Sequence, residues 1–457
     1  MPDMEVYLIS KRLRGQPAAL VLIGFGLMDA LGTGLLYLPF SHQGPLSLVD
    51  SLFTATSALC VTGLTVVNTA QTFTSFGKAI ILILMQIGGL GVMTFSVLLA
   101  YTLGRPVRLT DRVVIQESFL HRRVPDIRYL IGVVLVFTMI AETASALLLG
   151  ILFLREFPAG QAFSHGIFHA VSAFCNAGFS TLPEGLVPYR DDWAINIVIM
   201  LTILLGNTGF AVIYELVDRL LRRQRGPFSV HFRLTVMTHL FLIVLGAAGV
   251  FYFESSTTLG SLPVANRALV AFFHSVSART AGFNTVDIAS FTEDTLYLLL
   301  LLMFIGACPG STGGGLKTTT VALLWFTAIS RLRGFTRTVV FKRSIPESTV
   351  QRAVALFVIM VVVALTAHLA LMLIGPNVPF SQARSQFLAY LFETISALGT
   401  VGLSVGLTPH LGLAGKLLVC LVMFLGRVGL LSVLSVLARV TTRPRPYYYA
   451  QENLMVG

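Results

Sequence analysis

The chain alternates long apolar segments with shorter, half-apolar ones, and it does so four times. Each repeat has a long apolar segment, then a piece of about a dozen residues, then a second long apolar segment. A helix rises 1.5 Å per residue, so only the long segments are able to cross a hydrocarbon core of ~30 Å. The short pieces, at ~18 Å, are predicted to be half-length helices that enter the membrane and turn back.

The pattern predicts twelve segments in four units. In order they are 17–40, 46–58 and 79–101; 130–154, 162–173 and 193–217; 234–253, 265–278 and an interrupted 296–330; and 353–375, 385–397 and 413–438. The units are 1–104, 105–226, 227–334 and 335–446, followed by a tail, 447–457, as a candidate docking segment.

Each half-length helix ends in a copy of one sequence motif, here called the signature. It has a phenylalanine, then Ser-Ala, a few small residues, a glycine and a bulky apolar residue. The copies are FTATSALCVTGLT (53–65), FHAVSAFCNAGFST (168–181), FHSVSARTAGFNT (273–285) and FETISALGTVGLS (392–404). Repetition at a near-fixed period indicates four copies of one structural unit. The sequence therefore predicts four signatures arranged about a central axis.

Composition supports a membrane protein. The 457 residues are 55% hydrophobic and 12% charged, whereas soluble domains carry about 25% charged residues. The four cysteines lie in apolar or glycine-rich stretches and are expected to be small buried side chains rather than disulfides or metal ligands.

The net charge of +11 reports topology. Twenty-three of the 32 basic residues lie in the N-terminus, the connections between units and the tail, which all fall on one side of the predicted membrane. By the positive-inside rule that side is cytoplasmic. We therefore expect a multi-pass protein of the cell inner membrane or plasma membrane, with both termini in the cytoplasm, lipid around it and no nucleic-acid partner.

Backbone that leaves a helix at membrane depth survives only when it is buried in protein or lines water. Carbonyl oxygens of four such loops are able to replace the hydration shell of a cation, and glycine tolerates the positive φ that turns carbonyls toward an axis. Half-helix C-termini, with partial negative charge, also favour a cation. The alternative is that Ser, Ala and Gly simply allow close helix packing. The favoured prediction is an all-α fold of eight spans and four re-entrant pore helices in pseudo-fourfold arrangement about an ion pore.

A second fourfold feature is a glycine pair in each later span: GGLG (88–91), GNTG (206–209), GACPGSTGGGLK (306–317) and GRVG (426–429). These glycines are candidates for packing positions or helix kinks. The third run cannot stay helical and is predicted to project into the pathway as a gate. Although GSTGGGLKT has some likeness to a phosphate-binding loop, Leu316 interrupts it and no strand precedes it. Arg427 lies deep in the fourth unit. It is a candidate to bond the carbonyls of the 306–315 loop or to act as a positive barrier in the pore, and the alternative is a packed residue that extends to water.

The four units, the SARTAGFNT of the third signature, the GSTGGGLK interruption and the GRVG motif together resemble the Ktr/Trk/HKT superfamily of potassium transporters. The chain is most similar to the Ktr-type membrane subunit, since the two additional N-terminal spans of the Trk branch are not found. The third signature departs from its siblings, being one residue shorter between Ser277 and Gly282.

The resemblance implies a K+ filter of backbone oxygens and a gating loop with Arg427 as its partner. A glycine at Gly63 is the family's potassium-permeable pattern, whereas a serine there accompanies sodium preference in some plant members. The implied filter residues are Val61, Thr62, Gly63, Asn176, Ala177, Gly178, Thr280, Ala281, Gly282, Thr400, Val401 and Gly402. The implied gating residues are Gly306, Pro309, Gly310, Ser311, Thr312, Gly313, Gly314, Gly315, Lys317 and Arg427.

The resemblance also implies a homodimer on a cytosolic ring of nucleotide-binding regulatory subunits, with Na+ as a candidate activator and no organic cofactor. No catalytic constellation is found, so an enzyme is not expected. The rival interpretation is a sodium- or proton-coupled potassium symporter with alternating access. In that case Asp29 and Glu142 would relay ions or protons; otherwise they bond neighbouring helices.

Overall fold

A computed structural model of the protein describes residues 17–91, 127–222, 226–375 and 386–429. The basic connection 105–126, the ends of segments 79–101 and 413–438, and the tail 447–457 lie outside these residues. Unit 1 contains α1 (Pro17–Tyr37), α2 (Leu48–Leu59), α3 (Thr69–Thr72) and α4 (Ser75–Leu90). Unit 2 contains α5 (Ile127–Phe153), α6 (Ala159–Cys175), α7 (Trp193–Asn207) and α8 (Phe210–Arg222). Unit 3 contains α9 (Val230–Glu254), α10 (Val264–Ser277), α11 (Glu293–Phe304) and α12 (Thr318–Leu332). Unit 4 contains α13 (Glu347–Ile374), α14 (Gln386–Gly399) and α15 (Leu413–Val428).

Three described helices are long and apolar enough to cross a membrane by themselves: Gly132–Phe153, Val230–Glu254 and Glu347–Ile374. Each is the first long segment of its unit. A fourth span is obtained if Trp193–Asn207 and Phe210–Leu220 are taken together, although they meet at 93°. The fold is mostly helical and polytopic, as expected, while the full set of eight spans stays a prediction.

The four half-length helices are α2, α6, α10 and α14, with 12, 17, 14 and 14 residues. Ser47 caps α2 by accepting the amide of Asp50 at 3.0 Å, and a proline precedes both α6 and α10. Because α6 begins directly after Pro158, it is longer than the predicted 162–173. The phenylalanine of each signature is buried: Phe53, Phe168, Phe273 and Phe392. These rings anchor the half-length helices in the core.

The second long helix of each unit stops at its glycine motif. The helices α4 and α15 end before Gly91 and Gly429, whose φ angles are +82° and +91°. In unit 2, Gly209 at φ +87° starts the 93° bend into α8, so the predicted span 193–217 is broken at its glycine motif. Positive φ ends a right-handed helix, and glycine adopts it at little cost. The glycines are therefore kink positions.

The same motifs also supply packing positions. At three places a glycine lies so close to the carbonyl oxygen at the end of a half-length helix that a Cβ would collide with it. These pairs are Gly88 with Leu59, Gly206 with Phe174, and Gly426 with Leu398. Both interpretations of the motifs therefore hold, at different glycines.

A two-stranded hairpin joins units 3 and 4 and departs from the expected all-helical fold. Strand β1 (Val339–Val340) pairs antiparallel with β2 (Arg343–Ser344). Phe341 and Lys342 between them have φ of +49° and +63°, as a two-residue turn with positive φ at both positions requires. The sequence analysis missed it because neither residue is a glycine.

Candidate ion pathway

The four signatures meet in a closed ring. A Cβ on Gly63 would collide with the carbonyl oxygen of Ala177, and one on Gly178 would lie 2.9 Å from that of Ala281. The contact continues from Gly282 to the Val401 oxygen, at 2.5 Å, and from Gly402 to the Thr62 oxygen. Each glycine thus faces the carbonyl of the next unit, in the order 1, 2, 3, 4 and back to 1. The structure brings all twelve predicted filter residues together at this ring.

Each signature has two residues in the left-handed region with one residue between them. The glycines have φ from +69° to +94°. The first predicted filter residues also have positive φ, of +56° at Val61, +59° at Asn176, +75° at Thr280 and +49° at Thr400. Alternating signs of φ turn consecutive carbonyl groups toward the same side of the chain. For β-branched residues this conformation costs roughly 1–3 kcal/mol each and is typical of functional sites.

The serine of each signature holds the backbone behind the ring, a role that was not predicted from the sequence. In units 1 and 4, Ser57 and Ser396 accept the amides of Gly63 and Gly402, both at 3.1 Å. In units 2 and 3, the serine hydroxyl donates to the carbonyl after the glycine: Ser172 to Phe179, at 2.8 Å, and Ser277 to Phe283. The signal was present, since serine recurs at this place in all four copies.

The outer side of the ring opens into a cavity of about 220 Å³. All four signature glycines line it, together with polar residues two positions further along each signature. Its lining, within the described part of the chain, carries no formal charge. A cation in this cavity would meet neutral oxygen atoms rather than carboxylates.

The inner side of the ring is covered by the interruption, which spans 305–317 between α11 and α12. Thr312 Oγ1 donates to the Phe174 carbonyl at 3.0 Å and accepts from Asn176 Nδ2 at 2.9 Å. A Cβ on Gly313 or Gly314 would collide with the hydroxyl oxygen of Thr280 or Thr400, respectively. The loop therefore lies directly against Asn176, Thr280 and Thr400, the first predicted filter residues of units 2, 3 and 4.

Other residues that are predicted to form the gate make contacts along this loop. The Gly310 carbonyl accepts the Phe210 amide at 2.8 Å, and Ser311 Oγ donates to the Cys308 carbonyl at 2.6 Å. Lys317 Nζ donates to the Gly313 carbonyl at 2.7 Å. A Cβ on Gly209 would lie 2.5 Å from the Pro309 carbonyl oxygen, and Gly315 has φ of +70°. Contacts from its own unit and from unit 2 thus hold the loop.

Arg427 joins the loop to two units. Its Nη1 donates to the Thr312 carbonyl, and its Nη2 donates to the carbonyl of Gly88, with the Gly89 carbonyl at 3.4 Å. The Thr312 carbonyl belongs to the interruption, and the Gly88 carbonyl belongs to the glycine motif of unit 1. The side chain is placed as a bridge between units 1, 3 and 4.

A second buried arginine was not singled out from the sequence. Arg279 is fully buried in the third signature, where its Nη2 donates to the Gly306 carbonyl at 3.0 Å and its Nη1 to the His239 carbonyl at 3.3 Å. Its own carbonyl accepts Asn207 Nδ2 at 2.5 Å. The third signature is one residue shorter than the others, and the long side chain of Arg279 is buried beside it. A charge within an apolar motif was the available signal.

The two acidic residues of the first spans bond neighbouring helices. Asp29 accepts the hydroxyl of Thr56 at 2.9 Å, on the half-length helix of the same unit. Glu142 accepts the amide of Gln86 at 3.3 Å, from unit 1. Both carboxylates lie behind the signatures rather than on the outer cavity.

The fold and the closed ring of four signatures define a polytopic membrane protein of the cation-transport class. A sequence profile described as TrkH, a cation transport protein, matches residues 25–448, so the chain belongs to this family. The family resemblance inferred from the motifs is confirmed.

Relatives of known name cover almost the whole chain. The Ktr system potassium uptake protein B of Bacillus subtilis is 39% identical over 92% of this chain and 93% of its own length. The Vibrio alginolyticus protein of the same name is 35% identical, over 97% and 95%. The potassium/sodium uptake protein NtpJ of Enterococcus hirae is 33% identical, over 98% and 100%. The crystal structure of the potassium transporter TrkH from Vibrio parahaemolyticus has the same fold, with a TM-score of 0.69 at 20% identity over 93% of this chain and 84% of that one.

Proposed function

We propose that this chain is the K+-translocating membrane subunit of a Ktr-type potassium uptake system. The observation that carries the proposal is the closed ring of four signatures, each with two left-handed residues. Carbonyl oxygens turned to one axis replace the hydration shell of a cation. The names of the relatives, which are potassium uptake proteins, support K+ as the ion.

Oxygen atoms without a partner lie at the inner end of the ring. Within the described part of the chain, Thr280 Oγ1, Thr400 Oγ1 and Asn176 Oδ1 are buried and have no hydrogen-bond partner. A buried polar atom without a protein partner needs a water molecule or an ion, because its desolvation is otherwise uncompensated. A passing cation would satisfy these oxygens in turn, which supports conduction past the first filter residues.

The interruption 305–317 is the gate in this proposal. It lies against Thr280 and Thr400, and Arg427 and Lys317 bond its carbonyls. Ions leaving the filter toward the cytoplasm must pass it. Loss of these bonds would free the loop to move aside, so Arg427 and Lys317 stabilise the covered state.

Regulation, assembly and location complete the proposal. We expect a homodimer in the cell inner membrane or plasma membrane, with both termini cytoplasmic and a ring of nucleotide-binding regulatory subunits on that side. Na+ is a candidate activator, a hypothesis that the name of the potassium/sodium relative supports. These features rest on the family resemblance.

The test is cation flux into liposomes that contain this chain alone, with potassium, rubidium or sodium outside and the proton gradient set independently. Flux that follows the potassium electrochemical gradient, is indifferent to pH and falls on substitution by sodium supports the selective gated pore. Uptake against that gradient, driven by protons or sodium, would contradict it in favour of a symporter. Asp29 and Glu142 would then be the residues to substitute.

A further inference from the structure

A second ring of side chains lies outside the four glycines. Thr65, Ser180, Asn284 and Ser404 each stand two residues after the glycine of their signature. All four line the same outer cavity of about 220 Å³. This spacing is constant even in the shortened third signature. Each unit therefore contributes one polar side chain to the cavity from the same place in its signature.

In unit 4 the hydrogen-bond network orients the Ser404 hydroxyl so that its oxygen acts as an acceptor toward the cavity. Its hydrogen is donated to Glu393 Oε1, on the half-length helix behind it. Glu393 Oε2 accepts the Thr408 hydroxyl at 2.7 Å, so the carboxylate is held on both sides. The Gly406 amide donates to Ser404 Oγ at 2.9 Å. With its hydrogen used inward, the oxygen keeps a lone pair for the cavity.

Unit 2 reaches the same result with different chemistry. His169 Nδ1 lies 2.8 Å from the His165 carbonyl, which only accepts, so Nδ1 carries the hydrogen. In the neutral ring Nε2 is then an acceptor, and it takes the hydroxyl hydrogen of Ser180 at 2.8 Å. The Leu182 amide donates to Ser180 Oγ at 3.0 Å. Ser180 is thus directed in the same way as Ser404.

Unit 3 presents a carbonyl oxygen. Asn284 Nδ2 donates to the Val286 carbonyl at 3.0 Å, which leaves Oδ1 of the side chain for the cavity. Units 2 and 4 are opposite each other in the ring order, and Asn284 stands between them. Three neutral oxygens are therefore held as acceptors around one cavity, with the Thr65 hydroxyl in the fourth corner.

We propose that Thr65, Ser180, Asn284 and Ser404 form an outer binding site for a partly hydrated monovalent cation, with His169 and Glu393 as its positioning residues. A ring without carboxylates suits a weakly hydrated ion, since Ca²⁺ sites use carboxylates and Mg²⁺ keeps its own waters. The cavity leaves room for water beside the ion, as each water needs only ~10–15 Å³ of such space. This inference rests on the proposed function, because it adds a site to that pathway.

The experiment measures initial rubidium uptake into liposomes against external rubidium concentration, for the full chain and its variants. Ser180→Ala and Ser404→Ala are each expected to raise KM about fivefold, as loss of one neutral polar contact does. The maximal rate should stay within about twofold, because the glycine ring is untouched. Threonine at either position keeps the oxygen and should restore KM. An unchanged KM in the double alanine variant would overturn the proposal.

The positioning role has its own readout. Glu393→Gln keeps the shape but has one acceptor oxygen instead of two, so KM should rise. Combined with Ser404→Ala it should add little, since both changes remove the same oriented oxygen. Thr54→Val is the matched control: Thr54 holds the same place in α2, but its hydroxyl bonds only the Asp50 carbonyl, at 2.8 Å. Additive effects of Glu393→Gln and Ser404→Ala would contradict the positioning role.

A gain of affinity separates the site from misfolding. Asn284→Asp adds a negative charge to the cavity and should lower KM for rubidium about fivefold or more, which a misfolded protein cannot do. An unchanged or raised KM in a correctly assembled variant would count against the site. If the unsubstituted chain moves no potassium in these liposomes, the proposed function fails. If it moves potassium but the variants have the KM of wild type, the outer site fails and the proposed function stands.

Discussion

Single residues decide how closely the four signatures approach each other. At Gly63 the φ of +91° and the neighbouring Ala177 carbonyl leave no room for a Cβ. A Cβ on Gly63 would also lie only 3.1 Å from the Cα of Gly178. A side chain at this position must therefore push units 1 and 2 apart.

Gly63→Ser is expected to lower the preference for potassium over sodium, because a widened corner no longer matches the spacing of its carbonyls. Competition between the two ions in the liposome flux assay measures this. Gly412→Ser is the control, since a Cβ there has open space and the backbone is extended. If the ion competition of Gly63→Ser is that of wild type, the filter assignment is wrong.

The serines behind the ring are a second test at this scale. Ser57→Ala removes the acceptor of the Gly63 amide and leaves a buried donor unpaired, at a cost of about 1–3 kcal/mol. We expect a lower melting temperature together with weaker ion discrimination. Ser290→Ala, in an exposed outer turn where the hydroxyl bonds the Asp287 carbonyl, is the matched control. Full retention of discrimination would show that Ser57 does not support the filter.

The sequence predicted the repeat and the positive φ of its glycines, but not the left-handed conformation two residues before each glycine. The phenylalanine, serine and glycine at the positions of Phe53, Ser57 and Gly63 recur in every copy. Core packing requires the first, hydrogen bonding the second and positive φ the third. The left-handed Val61 and Thr280 were not predictable, since local preference disfavours that conformation and only the surrounding fold enforces it. Nor does a sequence tell which carbonyl faces which glycine, because that order arises from contacts between units.

At the scale of elements, the second long helices break at their glycine motifs, and the break in unit 3 is the proposed gate. Residues 305–317 separate α11 from α12 and lie against the Thr280 and Thr400 hydroxyls of the ring. Glycines alone did not reveal the 93° bend between α7 and α8, because the same GNTG pattern also suits close packing. At the bend, Gly209 has φ of +87° and lies so close to the interruption that a Cβ would be 2.5 Å from the Pro309 carbonyl oxygen.

Deleting residues 313–315 is expected to raise the basal flux, because it removes the part of the loop that lies against Thr280 and Thr400. Uptake by the subunit alone in liposomes measures the effect, with size-exclusion profiles to confirm assembly. A fall in flux, or none at all, from a correctly assembled variant would argue against a gate.

Arg427→Ala should also raise basal flux, since the loop loses its bond at Thr312 and unit 1 loses its bond at Gly88. Arg427→Lys keeps the charge but lacks the forked donor geometry, so we expect an intermediate flux. The comparison is made at equal amounts of folded protein. Loss of expression in the alanine variant and normal behaviour of the lysine variant would favour a packing role instead.

At the scale of the molecule, polar contacts on the outer side join three of the four neighbouring pairs of units. Asn68 Nδ2 donates to the Pro183 carbonyl at 2.9 Å, between units 1 and 2. Trp193 Nε1 donates to Asn266 Oδ1 at 3.1 Å, between units 2 and 3. Lys416 pairs with Asp50 at 2.7 Å, which closes the ring between units 4 and 1.

The Lys416–Asp50 pair is expected to stabilise this closure. The two side chains are only 19% and 18% exposed, so their hydrogen bond should contribute roughly 1.5–3 kcal/mol. A double-mutant cycle of Lys416→Met and Asp50→Asn, followed by thermal unfolding in detergent, measures the coupling. Additive losses of stability would show that the pair does not couple units 4 and 1.

The four corners of the ring are encoded separately, because they lie on one polypeptide. In a channel built from four identical chains, one codon change alters every corner at once, and intermediate compositions require mixtures of subunits. Here a gene with one, two, three or four altered corners gives a uniform population of each composition. Neighbouring and opposite pairs are likewise distinct genotypes. The share of ion discrimination that belongs to each corner is therefore open to direct dissection, one codon at a time.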